Sequence, residues 1–180
     1  TMQSEHVIEQ NSVDDTTHPR FGRVTPEIVE ELREIVGRPY VISDDPDRLE
    51  AYGHDEIPDP EYAHAPDVAV IPRTAEEIAA IMKIANRERV PVTPRGAGSG
   101  LSGGAVPIHG GIVLLSDRQD RILEIDLENM MVVVEPGVVT AHINERLEGT
   151  GFFYAGYPMS LETCYIGGNV AENAGGGKAV

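Results

Sequence analysis

The first clear pattern is a stripe of apolar residues. Ile28, Val29, Leu32, Ile35 and Val36 recur at the three-to-four-residue spacing of one buried helix face. Thr25 is a suitable N-cap, Pro26 suits the first helical position, Glu27 falls in the first turn and Gly37 lies just past the end. The segment therefore predicts a helix over 26–36. Before it, residues 1–20 are polar and aperiodic and read as a flexible N-terminal arm. After it, residues 40–42 predict a short strand, and Ser43-Asp44-Asp45-Pro46 opens a short helix that runs to Tyr52. Residues 53–66 contain three prolines and several charges and read as a solvated surface loop; His54 and His64, within it, have no Cys or His cluster around them.

Residues 68–71 predict an apolar strand. Thr74 and Glu77 stand at capping-box spacing ahead of a helix reaching about residue 89, with Ile78, Ile81, Met82 and Ala85 on its inner face. Residues 90–93 predict a second, β-branched strand. Strand, capped helix and strand form a βαβ unit, which predicts parallel strands and a right-handed crossover. Ligands of such units bind beyond the carboxyl ends of the strands. There the chain runs into Pro94-Arg95-Gly96-Ala97-Gly98-Ser99-Gly100-Leu101-Ser102-Gly103-Gly104.

Five of those eleven residues are glycine. Glycine accepts positive φ and lets a ligand approach the backbone, so the run suits amides that converge on a phosphate. Arg95 adds a permanent positive charge on a planar fork that matches phosphate oxygens. The spacing departs from the Gly-x-Gly-x-x-Gly dinucleotide fingerprint, no helix opens directly behind it, and the Lys-Ser/Thr ending of a nucleoside-triphosphate loop is absent. An irregular loop with inward-pointing amides is the expectation. Apolar strands on both sides distinguish it from a linker.

Downstream, residues 111–116, 121–126 and 131–135 predict three strands, the last two joined by a hairpin around Glu128-Asn129 and ending at Pro136-Gly137. A helix from about Thr140 to Gly149 or Gly151 would bury Ile143 and Leu147. Residues 152–154 predict one more short strand, 155–163 a loop, and 166–174 a short helix. In that helix Asn169 and Asn173 are four apart and would share a face, with Gly167 and Gly168 before them and Gly175 and Gly176 after. Cys164 reads as a small buried hydrophobe. Gly175-Gly176-Gly177 cap no further element, so the sequence reads as a fragment of a longer protein.

Composition narrows the function classes. Thirty acidic residues against fourteen basic ones give a net charge of −16, which argues against nucleic acid or an anionic membrane surface as partner. No apolar run approaches the roughly 18 residues of a membrane span. A single cysteine excludes an intramolecular disulfide framework and any multi-cysteine metal site. A cytoplasmic location follows as the default, with membrane association only through partner subunits. Carboxylates are too abundant for one acid–base pair to stand out, so no catalytic or metal-ligating residue is assigned.

Residues 94–107, Ile122-Leu123-Glu124-Ile125-Asp126, Val134-Glu135-Pro136-Gly137 and Ile166-Gly167-Gly168-Asn169-Val170-Ala171-Glu172-Asn173-Ala174-Gly175-Gly176 occur in that order. Together they resemble the FAD-binding domain of the vanillyl-alcohol oxidase / p-cresol methylhydroxylase (PCMH) type, within it the branch of glycolate oxidase FAD subunits and FAD-linked D-lactate dehydrogenases. The resemblance runs from about residue 40 to the C-terminus. It implies an α+β FAD-binding domain over 21–180, with a first α/β subdomain and the start of a second, the remainder and a substrate domain lying elsewhere. It further implies that the amides of Arg95 to Gly100 and Ser102 to Gly104 hold the FAD pyrophosphate, that Pro136 and Gly137 lie along the cofactor, and that Pro158 and Thr163 contact the flavin or ribityl chain. Gly167, Gly168, Asn169, Ala171, Asn173 and Gly176 would line the isoalloxazine and phosphate region. Relatives often carry Pro-Asp-Pro-Ser where this chain has Gly156-Tyr157-Pro158-Met159-Ser160, so no role for that aspartate passes to Tyr157. No His or Cys matches a covalent flavin attachment, which implies non-covalent FAD. The implied enzyme oxidises a 2-hydroxy acid of glycolate or D-lactate type. It passes electrons to a quinone or a protein partner such as an iron–sulfur subunit. Other readings are an oxidase of the same fold acting on an aldonolactone, a phenol or an alkyl-glycerone phosphate, and a non-redox binding module.

Overall fold

Proline and apolar content decide the order of the main sheet. A computed structural model describes residues 21–58, 60–156 and 158–177. Four strands pair in the order β1 (Val41–Ile42), β2 (Val68–Val70), β4 (Ile112–Leu115), β3 (Val92–Arg95). β2, β4 and β3 are parallel, and β1 pairs antiparallel with β2. The βαβ unit forms as expected, but β4 is inserted between its two strands, in register Val68↔Ile112 and Val92↔Ile112. β4 is Ile-Val-Leu-Leu, apolar on both faces, and takes a central place. β3 contains Pro94, which has no N–H for a second neighbour, and such a strand belongs at an edge.

The expected helix is α1 (Pro26–Val36), with the Thr25 hydroxyl accepting from Ile28 N–H and Gly37 turning the chain at φ 91°. Ile28, Leu32 and Val36 are buried against one sheet face, together with Ile81, Ile84 and Ala85 of α3 (Ala75–Glu88). Here the sequence reading needs correction: Ile84 points inward and Met82 is exposed. The capping box is also shifted. Thr74 accepts from Glu77 N–H as expected, but the Glu77 carboxylate accepts from Arg73 N–H, one residue outside the cap. The opposite sheet face, with Ala69, Val113 and Leu115, packs on Leu49 of α2 (Pro46–Glu50). Side chains alternate across the sheet, so Val68 and Val70 meet one helical layer and Ala69 the other.

A second, smaller core follows. β5 (Ile122–Asp126) and β6 (Met131–Val134) form an antiparallel hairpin closed by Asp126, whose carboxylate accepts from the backbone and side-chain amides of Asn129. The hairpin packs through Ile122, Ile125, Val132 and Val134 on Val138, on Ile143 and Leu147 of α4 (Thr140–Leu147), and on Ile166. The strand expected at 152–154 does not form. Gly149 and Gly151 both sit at positive φ, and Tyr154 N–H bonds to the Asn144 side chain rather than to a neighbouring strand. The last element is α5 (Ile166–Ala171), shorter than expected. No helix among the described residues is long and apolar enough to cross a membrane. The expected N-terminal arm, residues 1–20, lies outside the described residues.

Candidate functional site

β3 ends at Arg95, and that side chain shapes the loop behind it. The guanidinium curls under its own loop. Nη1 donates to the His54 carbonyl at 2.6 Å and reaches the Ala105 carbonyl at 3.5 Å, Nη2 donates to the Ala51 carbonyl at 3.4 Å, and Cζ stands 5.9 Å from the Tyr52 ring centre. The residue is 8% exposed. Burial pushes its pKa down, against the opposing influence of Asp55, Tyr52 and Asp117, yet a guanidinium stays cationic at neutral pH. This corrects the sequence expectation that the fork faces phosphate oxygens: its hydrogen bonds go to backbone carbonyls, and its charge lies beneath the loop.

Gly98 crosses directly above the guanidinium at φ 75°, and a Cβ there would collide with it. Only glycine meets both demands. The N–H groups of Ala97, Gly98, Ser99, Gly100, Leu101 and Ser102 make no hydrogen bond with any described residue. Among the described residues, six consecutive amides thus remain without a partner above a buried cation. Gly103 departs from the expectation: its N–H is taken by the Asp55 carboxylate at 2.9 Å.

The second glycine motif faces the first. Tyr165 packs its Cβ and ring against Gly96 and donates to Asp117 at 3.4 Å; burial, then Asp117, pushes its phenol pKa up. α5 then starts on top of Pro136. Gly167 N–H donates to the Pro136 carbonyl, and a Cβ on Gly167 would stand 2.6 Å from the Pro136 Cβ, so this helix approaches so closely only through glycine. Gly168 faces open space. The Glu172 carboxylate reaches the loop and lies where side chains on Gly100 and Gly104 would meet it, at 3.0 and 2.8 Å.

Two cavities flank this junction, and Gly168 and Glu172 border both. One, of about 350 Å³, lies between Ala97, Ser99 and Gly100 on the loop, Pro158, and Asn169 and Gly176. The other, of about 400 Å³, lies between the sheet end (Pro94, Arg95, Gly96), Gly104, Pro136, and Gly167 and Ala171 on α5. The remaining predicted residues line neither cavity. A side chain on Gly98 would meet Arg95, one on Gly103 would meet Ile57, and Ser102 is exposed. Gly137 is buried, donates to the Gln119 carbonyl, and has no room for a side chain against the Ser116 carbonyl. Thr163 is exposed and bonds back to the Ser160 carbonyl.

The two asparagines do not share a face. α5 ends at Ala171, and Asn173 is exposed at φ 56°. Two glycines in a six-residue helix leave it little intrinsic stability to extend. Asn169 is 7% exposed and donates from Nδ2 to Thr140 Oγ1 at 2.7 Å, beside Cys164 Sγ at 3.3 Å. It ties α5 to α4. Three further residues border the site without a signal in the sequence: Asp55, Glu172 and Gln119. Gln119 is 8% exposed, lines the larger cavity, and its carboxamide bonds to no described residue.

A mixed sheet that delivers a glycine loop with free amides onto a second glycine turn defines a nucleotide-cofactor module. The sequence profile of the FAD binding domain family matches residues 66–180, and the chain belongs to that family. It is 39% identical over 153 residues to glycolate oxidase subunit GlcD of Bacillus subtilis, covering 85% of this chain and 32% of the relative. It is 38% identical over 162 residues to D-lactate dehydrogenase of Anaerostipes hadrus, covering 89% and 33%. The chain therefore spans about a third of the length of these relatives. Among solved structures, p-cresol methylhydroxylase with substrate bound superposes with a TM-score of 0.62 at 27% identity, over 72% of this chain and 26% of that one. An alkyldihydroxyacetonephosphate synthase superposes with a TM-score of 0.74 at 22% identity, over 88% and 31%, and shares the fold. FAD is the cofactor of this family, and the α+β PCMH-type fold read from the sequence is the fold observed.

Proposed function

We propose that this chain is the pyrophosphate-holding part of a flavin-dependent dehydrogenase for small 2-hydroxy acids, of glycolate or D-lactate type. The observation that carries the reading is the run of six amides, residues 97–102, that bond to no described residue above the buried Arg95 charge. A pyrophosphate needs several converging donors and a nearby positive charge, and glycines keep the surface open to it. The amides of Ala97 to Ser102 hold the phosphates. Gly104, Pro136, Gly167, Gly168 and Ala171 form the wall along which the rest of the cofactor lies, and Pro158, Asn169 and Gly176 line the neighbouring cavity. Gly103 is left out of the phosphate set, because Asp55 already holds its amide.

Bound FAD would supply the redox chemistry, the two-electron oxidation of a C–OH group to a carbonyl, as hydride acceptor, the hydroxyl proton going to a base. This chain's residues bind and orient the cofactor: the amides fix the phosphates without neutralising them by direct ion pairing, and α5 sets one wall of the site. FAD is held non-covalently, and electrons leave to a quinone or a protein partner, in a cytoplasmic enzyme. The reading of a 2-hydroxy acid rests on the similarity to the glycolate oxidase subunit and the D-lactate dehydrogenase, and on that to D-2-hydroxyglutarate dehydrogenase of Stutzerimonas stutzeri, 36% identical over 155 residues, 86% of this chain and 33% of the relative. The test is the visible spectrum of the purified full-length protein under anaerobic conditions. The expected result is a flavin spectrum that bleaches on adding glycolate, D-lactate or D-2-hydroxyglutarate and whose chromophore is released by acid precipitation. A protein that stays colourless after incubation with FAD overturns the reading; a flavin that none of these acids reduces overturns the substrate class.

A further inference from the structure

We propose that Asp55 is a positioning residue of the cofactor cradle, and that the segment 54–57, a surface loop by its sequence, is the strut that holds the phosphate-binding amides in place. The inference rests on the pyrophosphate reading of residues 97–102 given above.

Asp55 is 6% exposed in a stretch whose neighbours His54 and Glu56 are exposed. Its two carboxylate oxygens divide their work. Oδ1 accepts from Ile57 N–H at 2.9 Å, which fixes the strut's own turn, and Oδ2 accepts from Gly103 N–H at 2.9 Å, across 48 residues of chain. Two further bonds run between the same segments. Glu56 N–H donates to the Gly100 carbonyl at 3.0 Å, and the Arg95 guanidinium donates to the His54 carbonyl at 2.6 Å. The glycine loop is therefore pinned at Gly100, at Gly103 and from below, always to residues 54–56.

The pinning decides which way the free amides point. In a trans peptide the carbonyl and the following N–H point in opposite directions. The Gly100 carbonyl is turned toward the strut by Glu56, so the Leu101 N–H is turned away from it, on the side where Leu101 borders the smaller cavity. Gly103 sits at φ 77°, a conformation that an uncaptured glycine has no reason to keep. A carboxylate suits the capture, because it has two acceptor oxygens for two amides and makes stronger bonds than a neutral side chain. Its negative charge would oppose a phosphate nearby, and the Arg95 guanidinium beneath the loop offsets it.

The test uses the full-length protein freed of flavin and two ligands, FAD and riboflavin, the second of which lacks the pyrophosphate and the adenosine beyond it. Asp55→Asn keeps the shape but offers one acceptor oxygen to two amides. The expected result is a rise in the FAD dissociation constant of about ten- to a hundredfold, the loss of one hydrogen bond to a charged acceptor, with the riboflavin constant changed less than about twofold. A general structural role would weaken both ligands alike, and that result overturns the proposal, as does an unchanged FAD constant. A wild-type protein that binds neither ligand overturns the pyrophosphate reading itself. Should Asp55→Asn not fold, amide hydrogen exchange on the flavin-free wild type decides: Gly103 is expected to exchange at least tenfold more slowly than Leu101 and Ser102. Equal rates overturn the proposal.

Discussion

Gly98→Ala places a methyl group into the Arg95 guanidinium, and the two residues should therefore behave as one unit. Two costs are expected. Alanine at φ 75° carries a left-handed strain of about 1 kcal/mol. The guanidinium must also leave its seat, giving up the 2.6 Å charge-assisted bond to the His54 carbonyl, worth about 2 kcal/mol. The two contacts at 3.4 and 3.5 Å are long enough to add little. Gly98→Ala should therefore destabilise by about 3 kcal/mol, and Arg95→Ala by a similar amount from the same bond and the emptied space. In the double variant the methyl has nothing left to hit, so only the backbone strain adds to the loss of Arg95. The coupling energy is then about 2 kcal/mol, well above the few tenths seen between independent sites. Urea unfolding of wild type, both single variants and the double variant measures it. Additive effects within about 0.5 kcal/mol would refute the account of Gly98 as a glycine required by Arg95.

Glu172→Gln removes an anion lying against Gly100 and Gly104, and FAD binding should tighten by about fivefold, the effect of one like charge at a few ångströms in a wet site; calorimetric titration checks it. Gln119→Leu fills the same volume without the carboxamide; FAD binding should weaken by about fivefold while the melting temperature holds, read by flavin fluorescence and a thermal scan. Glu135 is held below the usual carboxylate range, first by its hydrogen bond from Arg121, the partner in a 2.6 Å ion pair. A depressed folded-state pKa means that the pair stabilises above the unfolded carboxylate value and loses that contribution as pH falls through the folded one. Glu135→Gln should therefore be less stable than wild type at neutral pH, and the two unfolding curves should converge in acid; a gap that persists at low pH contradicts the linkage.

The parts of the molecule legible in its sequence are those where one residue type has one physical use. Thr25, Pro26 and Gly37 bounded α1 because capping, a fixed φ and a left-handed end are each local demands. The glycine loop was legible for the same reason: five glycines in eleven residues have few uses besides close approach. Asp55 had no such signature. An aspartate among prolines and charges looks the same whether it faces water or a distant amide, and its partner Gly103 is 48 residues away. Arg95 was legible as a charge and not as a direction, since its carbonyl partners come from Ala51, His54 and Ala105. The sheet order had a clue in Pro94, which fits an edge strand, but pairing between strands 20 residues apart is set by tertiary packing. Asn173 was misplaced because spacing of four implies a shared face only where the helix continues, and this one stops at Ala171.

The knot of Asn169, Thr140 and Cys164 gives the protein a built-in reporter. Cys164 is the sole thiol of the 180 residues, it is 2% exposed, and it sits where α5 joins α4. A thiol so enclosed meets a labelling reagent only when that joint opens, so the rate of modification counts openings of one hinge against the background of the whole fold. A ligand that bridges the glycine loop and α5 has to slow that clock. The cysteine, which borders the smaller cavity, offers a way to watch the two halves of the cradle hold together or part.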